Sequence, residues 1–260
     1  MSRSPSARPL ASLLMCALVW GCASTRAPEQ ATVLEFDPAD PLTATRLMQQ
    51  GQALVKEGKV DDGLVRYRAA LKSQPSNPTI HNLMGAAELQ RGNAAAALEL
   101  FNQALQLAPT YSDARNNRGA AYVQLNQFSM AETDFLTVLA DNLYENRTGV
   151  YFNLGSLYHS RGNLLAAEEN LRRAAVASGP IDAYLLLARV QEQLGKHEFA
   201  ETTLRQGMIR APERADIVLA LAQLLEKEGR TNESLELYRR ILNLAPHSPE
   251  AEQARAKVGR

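Results

Sequence analysis

Cysteine is nearly missing from this chain. Two occur in 260 residues, Cys16 and Cys22, both close to the N-terminus. Everything downstream lacks a thiol for a disulfide, a zinc site or a nucleophile. Long apolar runs are missing as well. Residues 10–20 form an eleven-residue, mainly apolar stretch, short of the roughly 20 residues that cross a bilayer. Charge of one sign is missing too: 28 basic residues balance 28 acidic ones, with no Lys/Arg block, so nothing favours nucleic acid. No HExxH, GxSxG or phosphate loop occurs. The four histidines (His81, His159, His197, His247) are scattered, with no carboxylate or cysteine at ligand spacing. Pairs such as Glu168-Glu169 and Arg172-Arg173 read as solvated helix faces. No enzyme activity, cofactor, metal or small-molecule substrate is expected.

The N-terminus has its own order. Arg3 and Arg8 precede the apolar stretch, and the small Gly21 then precedes Cys22. A positive head, a short apolar core and a small residue make a secretory signal peptide, here residues 1–21. The cysteine directly after the cut resembles the lipobox of bacterial lipoproteins, although Trp20 stands where a small or β-branched residue is usual. The resemblance implies lipidation of Cys22 and an anchor in the membrane. With Ala23 after the cysteine, it also implies an outer-membrane destination facing the periplasm. Residues 22–40 contain Pro28 and Pro38, lack helical periodicity and read as a flexible tether.

Beyond the tether the sequence repeats. Gly51, Gly85, Gly119, Gly155, Ala188 and Ala222 follow one another at steps of 34, 34, 36, 33 and 34. Twelve residues after each stands a small residue: Gly63, Ala97, Ala131, Ala167, Ala200 or Ser234. Four further on stands a large apolar one: Tyr67, Phe101, Phe135, Leu171, Leu204 or Tyr238. Seven after each leading residue come Gly58, Gly92, Asn126, Gly162, Gly195 and Gly229. Pro75, Pro109, Pro180, Pro212 and Pro246 close the units. Small residues let two helices approach, the large one fills the gap, and Gly or Asn ends the first helix in a left-handed turn. Asp40-Pro41, Asn77-Pro78 and Ser248-Pro249 each place a capping side chain before a proline at the first helical position.

These columns resemble the tetratricopeptide repeat. The resemblance implies an all-α fold in which six helical hairpins, residues 41–246, stack into a right-handed superhelix with a concave groove. Residues 247–260 would cap it, with a short helix at 249–258. The third unit departs from the period: two extra residues surround Leu143-Tyr144, and Asn153-Leu154-Gly155 follows. This pattern, with the lipobox, the tether and six repeats, is similar to pilotin lipoproteins of the type IV pilus. That resemblance implies a protein partner, a secretin subunit, brought to the outer membrane and assembled there into multimers. A repeat lipoprotein scaffolding another envelope complex, or one recruiting an enzyme, stays open.

In this family the first helix of each unit faces the groove, three before, one after and four after the leading small residue. Units one to three place Met48, Gln52, Val55; Asn82, Ala86, Leu89; and Asn116, Ala120, Val123 there. That surface is apolar to amide-like, and it is the expected partner-binding groove. Unit four places Phe152, Ser156 and His159 there; units five and six place Leu185, Arg189, Glu192 and Leu219, Gln223, Glu226. Asn117 and Asn153 are expected to hydrogen-bond between repeats. A ring of Lys and Arg, by which some repeat domains grip chaperone C-termini, is not present at these positions.

Overall fold

The computed structural model describes residues 41–176 and 179–259. The signal peptide 1–21, Cys22 and the tether 22–40, with the cap Asp40, lie outside the described residues. Within them are thirteen α-helices and no strand, the all-α class that the repeat columns predict. They fall into hairpins: α1 (Pro41–Lys56) with α2 (Val60–Ser73), α3 (Pro78–Gln90) with α4 (Ala94–Leu107), and α5 (Ser112–Gln124) with α6 (Phe128–Ala140). The next three are α7 (Arg147–Ser160) with α8 (Leu164–Ala174), α9 (Asp182–Gln193) with α10 (His197–Arg210), and α11 (Ala215–Lys227) with α12 (Thr231–Leu244). The last helix is α13 (Pro249–Val258).

Each repeat column has a steric cause. A Cβ on Gly51, Gly85 or Gly119 would lie 2.4, 2.6 or 2.5 Å from the ring of Tyr67, Phe101 or Phe135. On Gly155 it would lie 2.5 Å from Leu171 Cγ. Carbon atoms settle at about 3.5–4.0 Å, so glycine there is what lets the large residue reach the first helix. Units five and six carry Ala188 and Ala222 in that column, opposite Leu204 and Tyr238, all buried. Phe101 and Phe135 are completely buried, a contribution of about 1.5–3 kcal/mol each.

The turns between paired helices are left-handed. Gly58, Gly92, Gly162, Gly195 and Gly229 have φ between 72° and 81°, and Asn126 takes the same region at φ 58°. The backbone closes this turn on the preceding helix, as where Gly92 N–H donates to Leu89 O at 3.0 Å and Asn93 N–H to Glu88 O at 2.9 Å. Two of the predicted caps form: Asn77 Oδ1 accepts from Thr79 N–H at 3.0 Å and Ser248 Oγ from Ala251 N–H at 3.2 Å. In α13, Ala251 and Ala254 are buried against α12.

The extra residues of unit three form a pinned loop. The Tyr144 hydroxyl donates to Asp113 Oδ1 at 2.8 Å, and Ser112 Oγ donates to Asp141 Oδ2 at 2.8 Å. Arg147 Nη1 donates to Asp141 O at 3.1 Å. Burial, then the bond to Asp113, raises the Tyr144 phenol above its usual range. The insertion therefore lengthens the link to unit four without loosening it.

Stacking is asymmetric. Consecutive first helices, from α1 through α9, approach within 8 Å backbone to backbone, whereas consecutive second helices make no comparable approach. Stacked units that converge on the first-helix side and spread on the other place the first helices on the inner face. One junction differs: α9 and α11 approach less than any other consecutive first helices.

Candidate functional site: the first-helix face

The nine groove positions of units one to three divide into three kinds. Gln52 is exposed, and Ala86 and Ala120 are half-buried on the inner face. Met48 is half-buried on α1. Val55, Leu89 and Val123 are half-buried wedges: Val55 packs on Gly63, Leu89 on the cluster around Phe101, and Val123 on the cluster around Phe135. Asn82 and Asn116 are buried, 7% and 9% exposed.

The two buried asparagines are used by the fold. Asn117 Nδ2 donates to Asn82 Oδ1 at 2.9 Å, and Asn153 Nδ2 donates to Asn116 Oδ1 at 2.9 Å. Asn82 Nδ2 donates in turn to the Tyr111 hydroxyl at 3.2 Å. These bonds form a ladder across units two, three and four, and they occupy the carboxamide oxygens a partner backbone would need. The expectation that Asn82 and Asn116 pair with a ligand is therefore replaced: buried amides take the nearest partner because leaving one unpaired costs about 1–3 kcal/mol.

A cavity of about 310 Å³ opens between units one and two. It brings together Gln52, Val55 and Ala86 from the expected set, and adds Lys56, Leu83 and Gln90. Gln90 stands five residues after the leading Gly85. The same position in unit three is Gln124, and both are exposed. This carboxamide row was missed because the fourth position after the small residue is a wedge, and the fifth is the one that turns to solvent. Lys56 gives the otherwise uncharged surface one cation at its edge.

A buried charge cluster braces unit three and leaves no trace in the repeat columns. Arg118 donates through Nε and Nη2 to the two oxygens of Asp134, each at 2.7 Å, and through Nη1 to Asn102 Oδ1 at 2.9 Å. The Asp134 side chain is 5% exposed. The cluster ties α4, α5 and α6 together directly behind Ala120.

The inner face of units five and six is built differently. Lys227 bridges to Glu192 at 2.7 Å and Lys257 to Glu226 at 2.7 Å. His159 and Gln193 side chains meet at 3.2 Å. A second cavity, about 470 Å³, lies between α9 and α11 where those helices separate.

Among the described residues no group of three His, Cys, Asp or Glu side chains is placed to hold a metal. No described helix is long and apolar enough to cross a membrane.

Comparison with known families agrees with the hairpin columns. Tetratricopeptide-repeat profiles match residues 48–112, 116–183, 88–142 and 215–258, most of the chain. The chain belongs to the tetratricopeptide-repeat family. Such repeats present extended inner surfaces to protein partners. Among solved structures, this repeat protein is similar to PilW, described as a widely conserved type IV pilus biogenesis factor. The TM-score is 0.69 at 22% identity, covering 81% of this chain and 97% of that one. Pseudomonas aeruginosa PilF matches with a TM-score of 0.65 at 18% identity, covering 83% and 97%. A tetratricopeptide repeat protein from Parabacteroides merdae matches at 0.64 and 20% identity, covering 86% and 87%. At these identities the likeness is one of fold. The human peptidyl-prolyl cis-trans isomerase FKBP4 is 26% identical over 61% of this chain, and the match spans 41% of that protein's length.

Proposed function

We propose that this repeat protein is a pilotin: an outer-membrane lipoprotein that binds a subunit of the type IV pilus secretin and promotes its outer-membrane localisation and multimer assembly. The supporting observation is the joint length match. PilW and PilF are each covered over 97% of their chains, by 81% and 83% of this one, and ahead of the hairpins stands a lipobox-like Cys22 followed by the tether 22–40. The acyl chains on Cys22 hold the protein to the membrane by hydrophobic transfer, about 0.8 kcal/mol per buried methylene, so several chains are needed for a stable hold.

The partner surface is the inner face of units one to three. Gln52, Gln90 and Gln124 offer carboxamides to a partner's backbone, and Met48, Ala86 and Ala120 offer small and apolar contact between them. A segment that is itself uncharged suits this face, where Lys56 at the edge is the one charge lining the cavity and a charge buried away from it is costly. The protein acts by holding and placing its partner and performs no bond-making step.

Two variants separate anchor from surface. Cys22→Ala should keep the helical circular-dichroism signal and lose secretin multimers from outer-membrane fractions. Ala86→Asp should keep the anchor and weaken secretin capture by about tenfold or more, the effect of an unpaired charge in an apolar contact. Multimer levels unchanged in Cys22→Ala, or full capture by Ala86→Asp, would refute the respective half of the proposal.

A further inference from the structure

Ten large apolar side chains are exposed among the described residues, and five of them lie on one edge of the array: Leu42, Leu107, Leu143, Val176 and Ile209. On this edge each second helix ends and the next first helix begins. Leu42 is in the first turn of α1, Leu107 ends α4, Val176 follows α8, and Ile209 is in the last turn of α10. Val176 and Ile209 share one position of the repeat, nine residues after Ala167 and Ala200. Leu143 and Ile209 are the two most exposed of the ten, at 90% and 79%. A row of exposed apolar side chains marks a contact surface.

Leu143 stands on an ordered backbone. The insertion that carries it is tied by Tyr144 to Asp113 and by Asp141 to Ser112, and the Leu143 N–H donates to Asp141 Oδ1 at 3.0 Å. Little backbone freedom is left to lose on docking. The charges beside the row are of both signs. Arg210 donates to Val176 O at 2.7 Å and Arg240 to Pro212 O at 3.3 Å, carbonyls that leave the guanidinium charge in place. Glu145 and Glu213 are exposed acids. Apolar side chains set among charges of both signs match a zwitterionic headgroup layer over hydrocarbon.

The entry of the chain says which surface meets this edge. Helix α1 begins here, at Pro41, so residues 22–40 join the array on this side. Those 19 residues reach roughly 65 Å at full extension. A first helix such as α7, with 14 residues, carries the backbone about 20 Å away, to the edge of the left-handed turns. The edge with Leu143 and Ile209 is therefore the nearer one to whatever holds Cys22. A short tether keeps it there at high effective concentration, so a few weak apolar contacts suffice.

We infer that this edge rests on the bilayer that holds the anchor, with Leu143 and Ile209 entering the boundary between zwitterionic headgroups and acyl chains. The inference rests on the anchor half of the proposed function and is independent of the secretin. Seated in this way, the hairpins stand off the membrane and the inner face of units one to three stays open to a protein partner.

Trp20 is the one tryptophan of the chain, and it belongs to the signal peptide, so a tryptophan placed in the array reports on its own position. The full lipoprotein is purified in detergent and reconstituted into phosphatidylcholine vesicles with and without bromine on the acyl chains; the unsubstituted chain is the blank. Leu143→Trp and Ile209→Trp should each lose about half or more of their emission to the bromines, because interfacial side chains lie about 5–10 Å deep. Phe199→Trp, 64% exposed on the opposite edge, should lose about a tenth or less. Leu143→Asp added to the Ile209→Trp chain should reduce the quenching. Unquenched Leu143→Trp and Ile209→Trp, as when a protein or a second copy covers the edge, or equal quenching of all three tryptophans, would overturn the assignment. A mass spectrum without acyl chains on Cys22 would refute the anchor reading separately. The same tryptophans are then read on the Cys16→Ser chain coupled through Cys22 to a maleimide lipid, and the same outcomes decide.

Discussion

Units two to four and units five to six share one backbone plan and join their first helices by different chemistry. In units two to four the links are neutral carboxamides, Asn117 on Asn82 and Asn153 on Asn116, both partly buried. In units five and six the links are ion pairs at the surface, Lys227–Glu192 and Lys257–Glu226. Neutral links leave their face of the array without fixed charge. Charged links are satisfied pairwise and leave fixed charges along that face.

The largest test of that contrast removes one charge from each half. Asp134→Ala would leave Arg118 behind Ala120 with no counter-ion, and should destabilise by about 2–3 kcal/mol in urea unfolding. Glu192→Gln removes the partner of Lys227, whose side chain is 66% exposed, and should cost less than about 0.5 kcal/mol. Equal effects would mean that the two halves are braced alike.

A smaller effect sharpens the comparison between turns. A Cβ on Gly92 would meet nothing within 4 Å, so Gly92→Ala tests backbone strain alone. It should lower stability by about 1 kcal/mol, measured by the same unfolding midpoint. Asn126→Gly, at the one non-glycine member of the column, should not lower it by a comparable amount.

The smallest effect expected is on acid sensitivity. Arg230, then Arg205, hold the Glu201 carboxyl below its usual range. Arg214 lowers Asp216 and Arg230 lowers Glu233. A carboxylate lowered in the folded state stabilises the protein above its unfolded pKa, and that contribution is lost as pH falls through the folded value. The lowered carboxylates of the first half, Glu57 and Asp141, lie outside its helices. Below about pH 4, amide exchange should therefore accelerate in α10–α12 before it does in α3–α5. Simultaneous loosening would contradict the assigned roles.

Most of the fold was legible because its determinants are local and periodic. The glycine that admits Phe101 recurs one period later to admit Phe135, and Asn126 stands in its column as a known substitute for glycine in a left-handed turn. The inner face was legible only in part. Position along a helix puts Ala86 and Ala120 on the first-helix face, where both are half-buried, but it did not show that Asn82 would be claimed by Asn117, 35 residues away. That depends on how neighbouring units are offset. Gln90 and Gln124 were passed over because the fourth position after the leading glycine packs as a wedge and the fifth turns to solvent. The Arg118–Asp134 brace joins residues 16 apart that belong to no repeat column, and only packing reveals it. The roles of Cys22 and residues 1–40 rest on sequence pattern alone.

The asparagine ladder bears on how this array changes length. Asn82 and Asn116 occupy one position of the period, three before the leading glycine, and Asn117 and Asn153 occupy the next, two before it. Excising residues 86–119 would join Gly85 to Ala120 in phase and bring Asn153 to Asn82 in place of Asn116. Donor and acceptor of the ladder would again match, although Asn82 Nδ2 would lose the Tyr111 hydroxyl. A cut of one period thus keeps the amide ladder in phase, but it takes Arg118 away from the buried Asp134, so the charge brace of unit three holds the array to its present length.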